Sequence, residues 1–274
     1  MSSNFSTGPI FDNPPMRMKA CRHGAMLYNV NDLYIGRSFD LYGEYAESEM
    51  SLLANFVKPG QFVVDVGANI GAHTVFLAQA VGPEGWVLSI EPQRPVFQTL
   101  CANVALNALA NVLTFHVGAS ENPGKTTMLL PNYDSEGNFG GVPLISDRGG
   151  EEIQLISLDQ ITVPMLSLIK IDVEGMELAV LKGAAQTIAK NMPILYVEND
   201  QPVKSPDLLA HILGMGYRAY WHLAPLYNAD NFAGNSENIF GNTLAVNLLC
   251  IPAAANLSIE GLREVESADE FPMG

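Results

Sequence analysis

Apolar and polar positions alternate in a regular succession of units over residues 62–119. Short apolar runs end near an acid or a small residue, and longer stretches between them carry apolar residues at helical spacing. This succession is typical of a parallel sheet covered by helices on both faces. The predicted units are strands at 62–67, 86–91 and 111–119, and helices at 72–81 and 95–106.

The succession resumes after one interruption. Residues 121–157 are rich in glycine and hold two strand-like pieces, which predicts an extended loop or hairpin over the sheet. The complete pattern predicts an α/β fold with a mostly parallel sheet of seven strands flanked by helices. The later units are strands at 167–172, 193–198, 217–221 and 242–252, and helices at 175–190 and 205–216.

The two ends of the chain lack this succession. Residues 1–24 contain many Pro, Asn and Ser residues, residues 25–36 suggest two short strands, and residues 48–57 have helical spacing. The final residues are acidic. The predicted organisation is an N-terminal arm and cap (1–57), one α/β domain (58–252) and an acidic C-terminal tail (253–274).

The composition narrows the class of protein. The 14 Lys and Arg residues against 29 Asp and Glu residues give a net charge of −15, which disfavours nucleic acid as a partner. The three cysteines have no metal-like spacing. Neither a signal peptide nor an apolar stretch of about 18–20 residues is present, so no membrane span and a cytoplasmic location are expected. The oligomeric state is open, and a homo-oligomer is compatible with the sequence.

A candidate ligand-binding corner lies where the first strand of the domain ends. Asp65 closes this strand, and Gly67 and Gly71 allow a tight turn and a close approach of the backbone to a ligand. Ligands of open parallel sheets bind beyond the carboxyl ends of the strands. The spacing is D-x-G-x-x-x-G, so the G-x-G-x-x-G fingerprint of dinucleotide binding is not met.

Polar residues at the next two strand ends indicate the ligand. Glu91 ends the second strand, where an acid accepts hydrogen bonds from ribose hydroxyls, and Ser120 follows the third strand, where it can meet an adenine edge. Acids at this corner suit a cationic cofactor, and S-adenosylmethionine (SAM) carries a sulfonium, an ammonium and an adenosine. A NAD site and a purely structural turn remain as alternatives.

The motifs together resemble the FkbM family of SAM-dependent methyltransferases, over residues 24–252. The resemblance is carried by "DVGANIGAHT", "EPQRPVFQTLCANVALN" and "KIDVEGMELAVLKGA". It implies a class I Rossmann-like methyltransferase fold, and O-methylation of hydroxyls on natural products, sugars or glycans. The implied cofactor site comprises Asp65, Gly67, Asn69, Gly71, His73, Thr74, Glu91, Ser120 and Asp172. His73 and Thr74 open a helix, whose positive N-terminus suits the methionine carboxylate.

Asp172 is the first candidate for the chemistry, because it ends the fourth strand where the methyl group is expected to lie. It can act as the general base. Alternatively, Asp172, Glu198 and Asn199 bind Mg²⁺ as in catechol-type O-methyltransferases, since oxygen ligands suit this ion. The chain departs from that type because Gly175 stands where a lysine is expected. His222 is a second candidate base.

The sequence leaves the methyl acceptor unnamed, apart from its being a small-molecule or glycan hydroxyl. Residues 121–157 and 222–241 are predicted to face the substrate, and residues 42–49 to close over the cofactor. A second interpretation is a SAM-binding or scaffold protein of the same fold that has lost catalysis. An NAD-dependent oxidoreductase is the third.

Overall fold

The computed structural model describes residues 8–144, 149–163, 165–255, 257 and 259–272. The strands are β1 (Phe11–Asn13), β2 (Met16–Cys21), β3 (Gly24–Asn29), β4 (Phe62–Val66), β5 (Trp86–Ile90), β6 (Val112–Phe115), β7 (Gly118–Ala119), β8 (Gly124–Met128), β9 (Glu151–Ile156), β10 (Leu166–Ile171), β11 (Ile194–Glu198), β12 (Tyr217–Pro225), β13 (Leu244–Pro252) and β14 (Arg263–Glu264). The helices are α1 (Ile35–Tyr42), α2 (Glu47–Leu53), α3 (Ala72–Val81), α4 (Arg94–Leu106), α5 (Glu177–Gly183), α6 (Ala185–Asn191) and α7 (Ser205–Gly214).

The main sheet has the order β14-β12-β13-β11-β10-β4-β5-β6. Strands β11, β10, β4, β5 and β6 are parallel neighbours, and β13 lies antiparallel between β11 and β12. The predicted seven-stranded, mostly parallel α/β sheet is therefore confirmed. The two-residue β14 adds an eighth strand at the edge.

Continuous apolar runs form these strands because both faces of the sheet are buried. Val64 and its register neighbours Leu88 and Ile169 belong to the core on one face, whereas Val63 and its neighbours belong to the core on the other. Helices cover each face. The carboxyl ends of β4, β5, β10 and β11 consequently meet along one edge, where the polar motif residues lie.

The N-terminal region is more ordered than an arm. Residues 11–29 form a three-stranded antiparallel sheet, and residues 35–42 are helix α1, so the second of the two strands predicted in 25–36 is absent there. Asn103 of α4 exchanges hydrogen bonds with the backbone of Leu27, which docks β3 on the domain. Residues 1–7 of the predicted arm lie outside the described residues.

The interrupted region and the tail both acquire structure. Strands β8 and β9 form the antiparallel hairpin expected in 121–157, and β7 joins them in a separate three-stranded sheet. The predicted strand at 111–119 is thus divided between β6 and β7. The tail pairs with β12 through β14, and Glu270 accepts a hydrogen bond from Trp221. Residues 145–148, 256, 258, 273 and 274 of these predicted segments lie outside the described residues.

Within the described part of the chain, no helix is both long enough and apolar enough to span a bilayer. The longest helix, α4, has 13 residues.

Candidate functional site

A cleft of about 270 Å³ opens at the carboxyl edge of the sheet. The ends of β4, β5, β10 and β11 form its floor, and residues from the N-terminal region and from the 121–157 hairpin form its walls. Glu198 of the predicted metal set lines the cleft. Five of the predicted cofactor-site residues also line it, with their neighbours from the same loops: Gly67, Asn69, His73, Glu91 and Asp172.

The glycine loop between β4 and α3 is shaped by contacts within the chain. Gly67 and Asn69 have positive φ angles of 77° and 50°, and the amides of Gly67 and Ala68 both donate to the carbonyl of Ile90. A Cβ at Gly67 would lie 1.7 Å from the carbonyl oxygen of Asp172. Glycine is therefore required at position 67 because the chain after β10 approaches the chain after β4 here. This requirement holds whether or not a ligand also approaches the loop.

Gly67→Ala is expected to lower the free energy of unfolding by at least about 3 kcal/mol, through a backbone clash added to left-handed strain. Gly60→Ala is the matched control, because Gly60 has a φ of 82° but nothing within 4 Å of its added Cβ. That control should lose only about 1–2 kcal/mol. Urea unfolding of the two variants measures the difference, and equal losses would show that the contact with Asp172 is unimportant.

Asp65 and Thr74 lie behind the wall of the cleft, fully buried. The Thr74 hydroxyl donates to Asp65 Oδ2 at 2.7 Å and lies 2.9 Å from the Ser89 hydroxyl. The cation nearest to Asp65 is the Lys170 ammonium, whose Nζ is 3.5 Å from Oδ1. The chain itself thus places an ammonium group beside Asp65.

Lys170 was missed in the sequence prediction. Its Nζ lies 3.1 Å from Asp172 Oδ2 and donates to the Gly67 carbonyl at 3.1 Å, while the residue is only 3% exposed. Burial alone would lower the pKa of Lys170, but Asp172 and Asp65 outweigh burial and raise it. The available signal was a lone lysine inside the apolar run "SLIKID", two residues before the strand-end acid.

Glu91 presents a buried carboxylate to the cleft. Its Oε2 accepts from the amide of Asn69 at 2.9 Å and its Oε1 accepts from the amide of Gln93 at 2.8 Å. These two bonds fix the carboxylate against the glycine loop and leave lone pairs for a ligand. Burial raises the pKa of Glu91 from 4.5 to about 7, because the loss of hydration outweighs both amide bonds.

The stability of the free protein should therefore carry a pH dependence from Glu91. A raised folded-state pKa stabilises the fold below pH 4.5, and this contribution is lost as the pH rises to about 7. The shift corresponds to roughly 3 kcal/mol. The unfolding free energy of wild type minus that of Glu91→Gln should fall by about this amount between pH 4.5 and pH 8, measured by urea unfolding. A constant difference would refute the assignment.

Ser120 and Gly71 hold positions next to the cleft and do not line it. The amide of Ser120 donates to the carbonyl of Ile156, whereas Gly118 and Ala119 line the cleft. Gly71 begins α3 with a φ of 90° and lies against Leu100. Gln93 also lines this end, with its side chain bonded to the Phe139 carbonyl and to the Tyr133 hydroxyl.

His73 lines the cleft at the start of α3 and has a partner in the N-terminal region. Its Nε2 lies 3.1 Å from Oε2 of Glu49, a residue of α2, and Glu49 Oε1 accepts from the side chain of Asn247 at 3.2 Å. All three residues are buried.

Three carboxylates form an acidic cluster at the other end of the cleft: Asp172, Glu174 and Glu198, whose oxygens lie within 4.8 Å of one another. Glu198 Oε2 is buried and has no hydrogen-bond partner among the described residues. Burial raises the pKa of Glu198 well above its ordinary value, and the negative charge of Asp172 adds to the rise. The same two causes raise the pKa of Glu174 to about 7. Burial alone would raise the pKa of Asp172, but Lys170 outweighs it and lowers that pKa.

Asn199, the third member of the predicted metal set, does not line the cleft, and its part in a metal site stays a prediction. Its side chain is buried and donates to the Ser205 hydroxyl at 2.9 Å, at the start of α7. Glu174, which has a φ of 55°, lines the cleft beside Asp172.

His222 also lies away from the cleft. It belongs to β12 and is buried, with Nδ1 2.8 Å from the Tyr196 hydroxyl and Nε2 3.3 Å from the Ser48 hydroxyl. Both ring nitrogens therefore have protein partners. This placement does not support the predicted role of a base, since the ring does not line the cleft.

The predicted substrate-facing loop after β12 is held by hydrogen bonds. The carboxylate of Glu44 accepts from Arg22, from the Asn228 side chain and from the amide of Phe232. Only the two ends of this connection, at Leu226 and residues 243–245, line the cleft. Tyr45 lines it from the predicted closing segment 42–49.

Known proteins share the part of the chain that builds this cleft. Residues 65–219, more than half of the chain, match the methyltransferase FkbM domain family. The chain belongs to this family. The predicted family is thereby confirmed, and the order of the main sheet agrees with the α/β fold that the resemblance implied.

Individual relatives of the FkbM domain can be compared in more detail. The hexuronic acid methyltransferase AglP of Haloferax volcanii is 30% identical over 158 residues, which cover 56% of this chain and 62% of AglP. The methyltransferase sdnD of Sordaria araneosa is 28% identical over 176 residues, which cover 52% of this chain and 67% of sdnD. The crystal structure of an FkbM methyltransferase from Methylobacillus flagellatus has 21% identity and a TM-score of 0.47, with 74% of this chain and 50% of that one covered.

Proposed function

We propose that this FkbM-domain protein is a SAM-dependent methyltransferase that methylates a hydroxyl group of a natural product, sugar or glycan. The observation that carries the proposal is the buried Glu91 carboxylate, fixed at the cleft by two backbone amides beside the glycine loop. Such a carboxylate accepts hydrogen bonds from ribose hydroxyls. The hexuronic acid methyltransferase among the relatives supports an acceptor that carries hydroxyl groups.

The charge of the cleft favours this cofactor over NAD. Lys170 is the only Lys or Arg among the described residues that line the cleft. Five acidic residues line it: Glu91, Asp172, Glu174, Glu198 and Asp200. Such a surface suits the sulfonium and ammonium of SAM and opposes the pyrophosphate of a dinucleotide. The absence of the G-x-G-x-x-G spacing points the same way.

We assign different residues of the cleft to different parts of SAM. SAM supplies an electrophilic methyl group when it is bound. Glu91 binds the ribose, and the backbone of Gly118 and Ala119 faces the adenine end in place of the Ser120 side chain. His73 and the N-terminus of α3 are assigned to the methionine carboxylate. Asp65 and Thr74 support the loop from behind.

Asp172 is the group that we assign to the acceptor hydroxyl. It ends β10 at the cleft, and the Lys170 ammonium keeps its carboxylate ionised, so it can accept the hydroxyl proton as the methyl group is transferred. Alignment of the acceptor oxygen with the methyl group contributes further to the rate. We do not assign His222 to this step, because its ring nitrogens lie beside the Tyr196 and Ser48 hydroxyls and the residue does not line the cleft.

The acidic cluster fits a divalent cation such as Mg²⁺, with Asp172, Glu174 and Glu198 as ligands. The donors are all oxygens, and Glu198 Oε2 has no other partner among the described residues. A cation bound there supplies an orienting charge for the acceptor hydroxyl and lowers its pKa. Asn199 is left out of this set because it does not line the cleft.

Mn²⁺, used as a probe of this site, is expected to raise the melting temperature of the protein on the order of 5 °C at a hundredfold excess over its dissociation constant. Glu198→Gln should remove most of the rise, whereas Glu237→Gln, an exposed residue of the loop after β12, should not. Differential scanning calorimetry with Mn²⁺ and with EDTA measures both. Identical melting curves under the two conditions would leave Asp172 as a base that works without metal.

Isothermal titration calorimetry with SAM, S-adenosylhomocysteine and NAD tests the cofactor assignment. Micromolar binding of the first two and none of NAD is expected. Transfer of label from methyl-labelled SAM to hydroxyl-bearing acceptors then separates an enzyme from a SAM-binding protein that has lost catalysis. Binding of NAD alone would overturn the proposal in favour of an oxidoreductase.

A further inference from the structure

Lys170 joins two strand ends that are far apart in sequence, the end of β4 and the end of β10. Its Nζ donates to the carbonyl of Gly67 in the glycine loop, lies 3.5 Å from Asp65 Oδ1 at the end of β4, and lies 3.1 Å from Asp172 Oδ2 beyond β10. Two of these groups belong to the β4 end and one to the β10 end. The lysine therefore ties the cofactor loop to the residue assigned to the acceptor.

Lys170 depends on these contacts because its charge is buried. A charged group that is 3% exposed needs partners, and the carboxylates supply them. Asp65 in turn depends on Lys170. Its Oδ1 has no hydrogen-bond partner among the described residues, and the Lys170 ammonium is the cation beside it. Removing the lysine would leave the buried carboxylate of Asp65 and the partly exposed carboxylate of Asp172 without their shared cation.

We infer that Lys170 is a positioning residue, through which Asp65 acts on the cofactor site and which holds Asp172 and the Gly67 carbonyl in place. This inference rests on the proposed function, because the cofactor whose site is organised is SAM. Asp65 does not line the cleft, whereas Lys170 does. Asp65 therefore reaches the cofactor site by fixing the lysine, and a direct bond to the cofactor ammonium is not part of its role.

The inference separates Lys170 from an ordinary buried ion pair. A merely structural pair would lower the melting temperature when it is broken and leave ligand affinity in the folded protein unchanged. A positioning residue displaces the loop and Asp172, so affinity for S-adenosylhomocysteine falls in protein that is still folded. Restoring a cation at the same position should restore part of that affinity.

The test is calorimetric titration of S-adenosylhomocysteine into wild type, Lys170→Met, Lys170→Arg, Asp65→Asn and the double variant Asp65→Asn/Lys170→Met, each first shown to be folded by circular dichroism. Lys170→Met should weaken binding at least about tenfold, since hydrogen bonds to charged groups are lost. Lys170→Arg should recover part of the loss. Lys125→Met, which breaks the exposed ion pair with Glu152, is the matched control and should bind as wild type.

The double variant tests the path from Asp65. If Asp65 acts through Lys170, the double variant should bind no more weakly than Lys170→Met alone, because the second change removes nothing further. Additive losses would overturn the inference and return Asp65 to direct contact with the cofactor. Wild-type affinity in folded Lys170→Met, or no recovery in Lys170→Arg, would also overturn it.

Failure of the proposed function has a different signature. In that case wild type itself does not bind S-adenosylhomocysteine, whatever stands at position 170. If Lys170→Met alone does not fold, Lys170→Gln in the Asp65→Asn background, with one fewer buried carboxylate, is titrated against Asp65→Asn. A further loss of less than tenfold is expected, because the contribution that Asp65 makes through the lysine is already gone, and equal affinities would overturn the inference.

Discussion

Glu91→Ala is expected to weaken the binding of S-adenosylhomocysteine about a hundredfold or more, and thus to abolish detectable binding at micromolar concentrations. The carboxylate is fixed by the amides of Asn69 and Gln93, so the variant loses the ribose acceptor and also frees two backbone donors, one in the glycine loop and one after β5. Hydrogen bonds to a charged group contribute about 1.5–3 kcal/mol each. Titration calorimetry measures the loss directly.

Glu84→Ala is the control for this measurement. Glu84 is an exposed glutamate in the turn between α3 and β5, so its replacement removes a negative charge near the domain without touching the cleft. Its affinity should equal that of wild type. If Glu91→Ala bound the ligand as well as Glu84→Ala does, the ribose would have to lie elsewhere and the proposed orientation of the cofactor would be wrong.

Asp172→Asn is expected to lower the turnover number by about 10²–10⁴-fold, while the affinity for S-adenosylhomocysteine changes only a few-fold. Asparagine keeps the shape of the side chain and an oxygen for Lys170, but it cannot take up a proton at neutral pH. Single-turnover transfer of label from SAM measures the chemical step. The same loss is expected if Asp172 binds a cation, since amide oxygen is the weaker ligand.

Two further variants serve as controls for the Asp172→Asn measurement. Asp134→Asn changes an exposed aspartate and should retain full turnover. His222→Gln changes the other candidate base, and it should retain turnover in protein that folds, because His222 is bonded to Tyr196 and Ser48 behind the cleft wall. A loss at His222→Gln as large as that at Asp172→Asn would transfer the role of base to the histidine.

Much of the fold was predictable because it depends on local patterns. The apolar runs of β4, β5 and β10 and the helix Ala72–Val81 occur where hydrophobic spacing placed them. Boundaries were less accurate where tertiary contacts intervene. The predicted helix 175–190 is two helices that meet at Ala184, and Gly183 there lies against the carbonyl of Ser120, leaving no room for a side chain.

The candidate site was predictable as a set of strand ends and much less as a set of contacts. Glu91, Asp172 and the glycine loop lie on one cleft, as expected for the carboxyl edge of a parallel sheet. Asn199 and His222 follow or belong to strands of the same sheet but turn toward Ser205 and Tyr196. Sequence position indicates the strand end on which a residue lies, but not the direction in which its side chain finds a partner.

The sequence by itself determined the α/β class, the family and the strand ends that carry the chemistry, because these follow from hydrophobic period and from motifs within a few residues. Only the tertiary structure decided how the buried charges are paired. Lys170 reaches Gly67 across 103 positions, and Asn247 reaches Glu49 across 198. Buried polar groups must be paired wherever the fold brings a partner, so such pairs depend on the packing of distant segments, which no local pattern encodes.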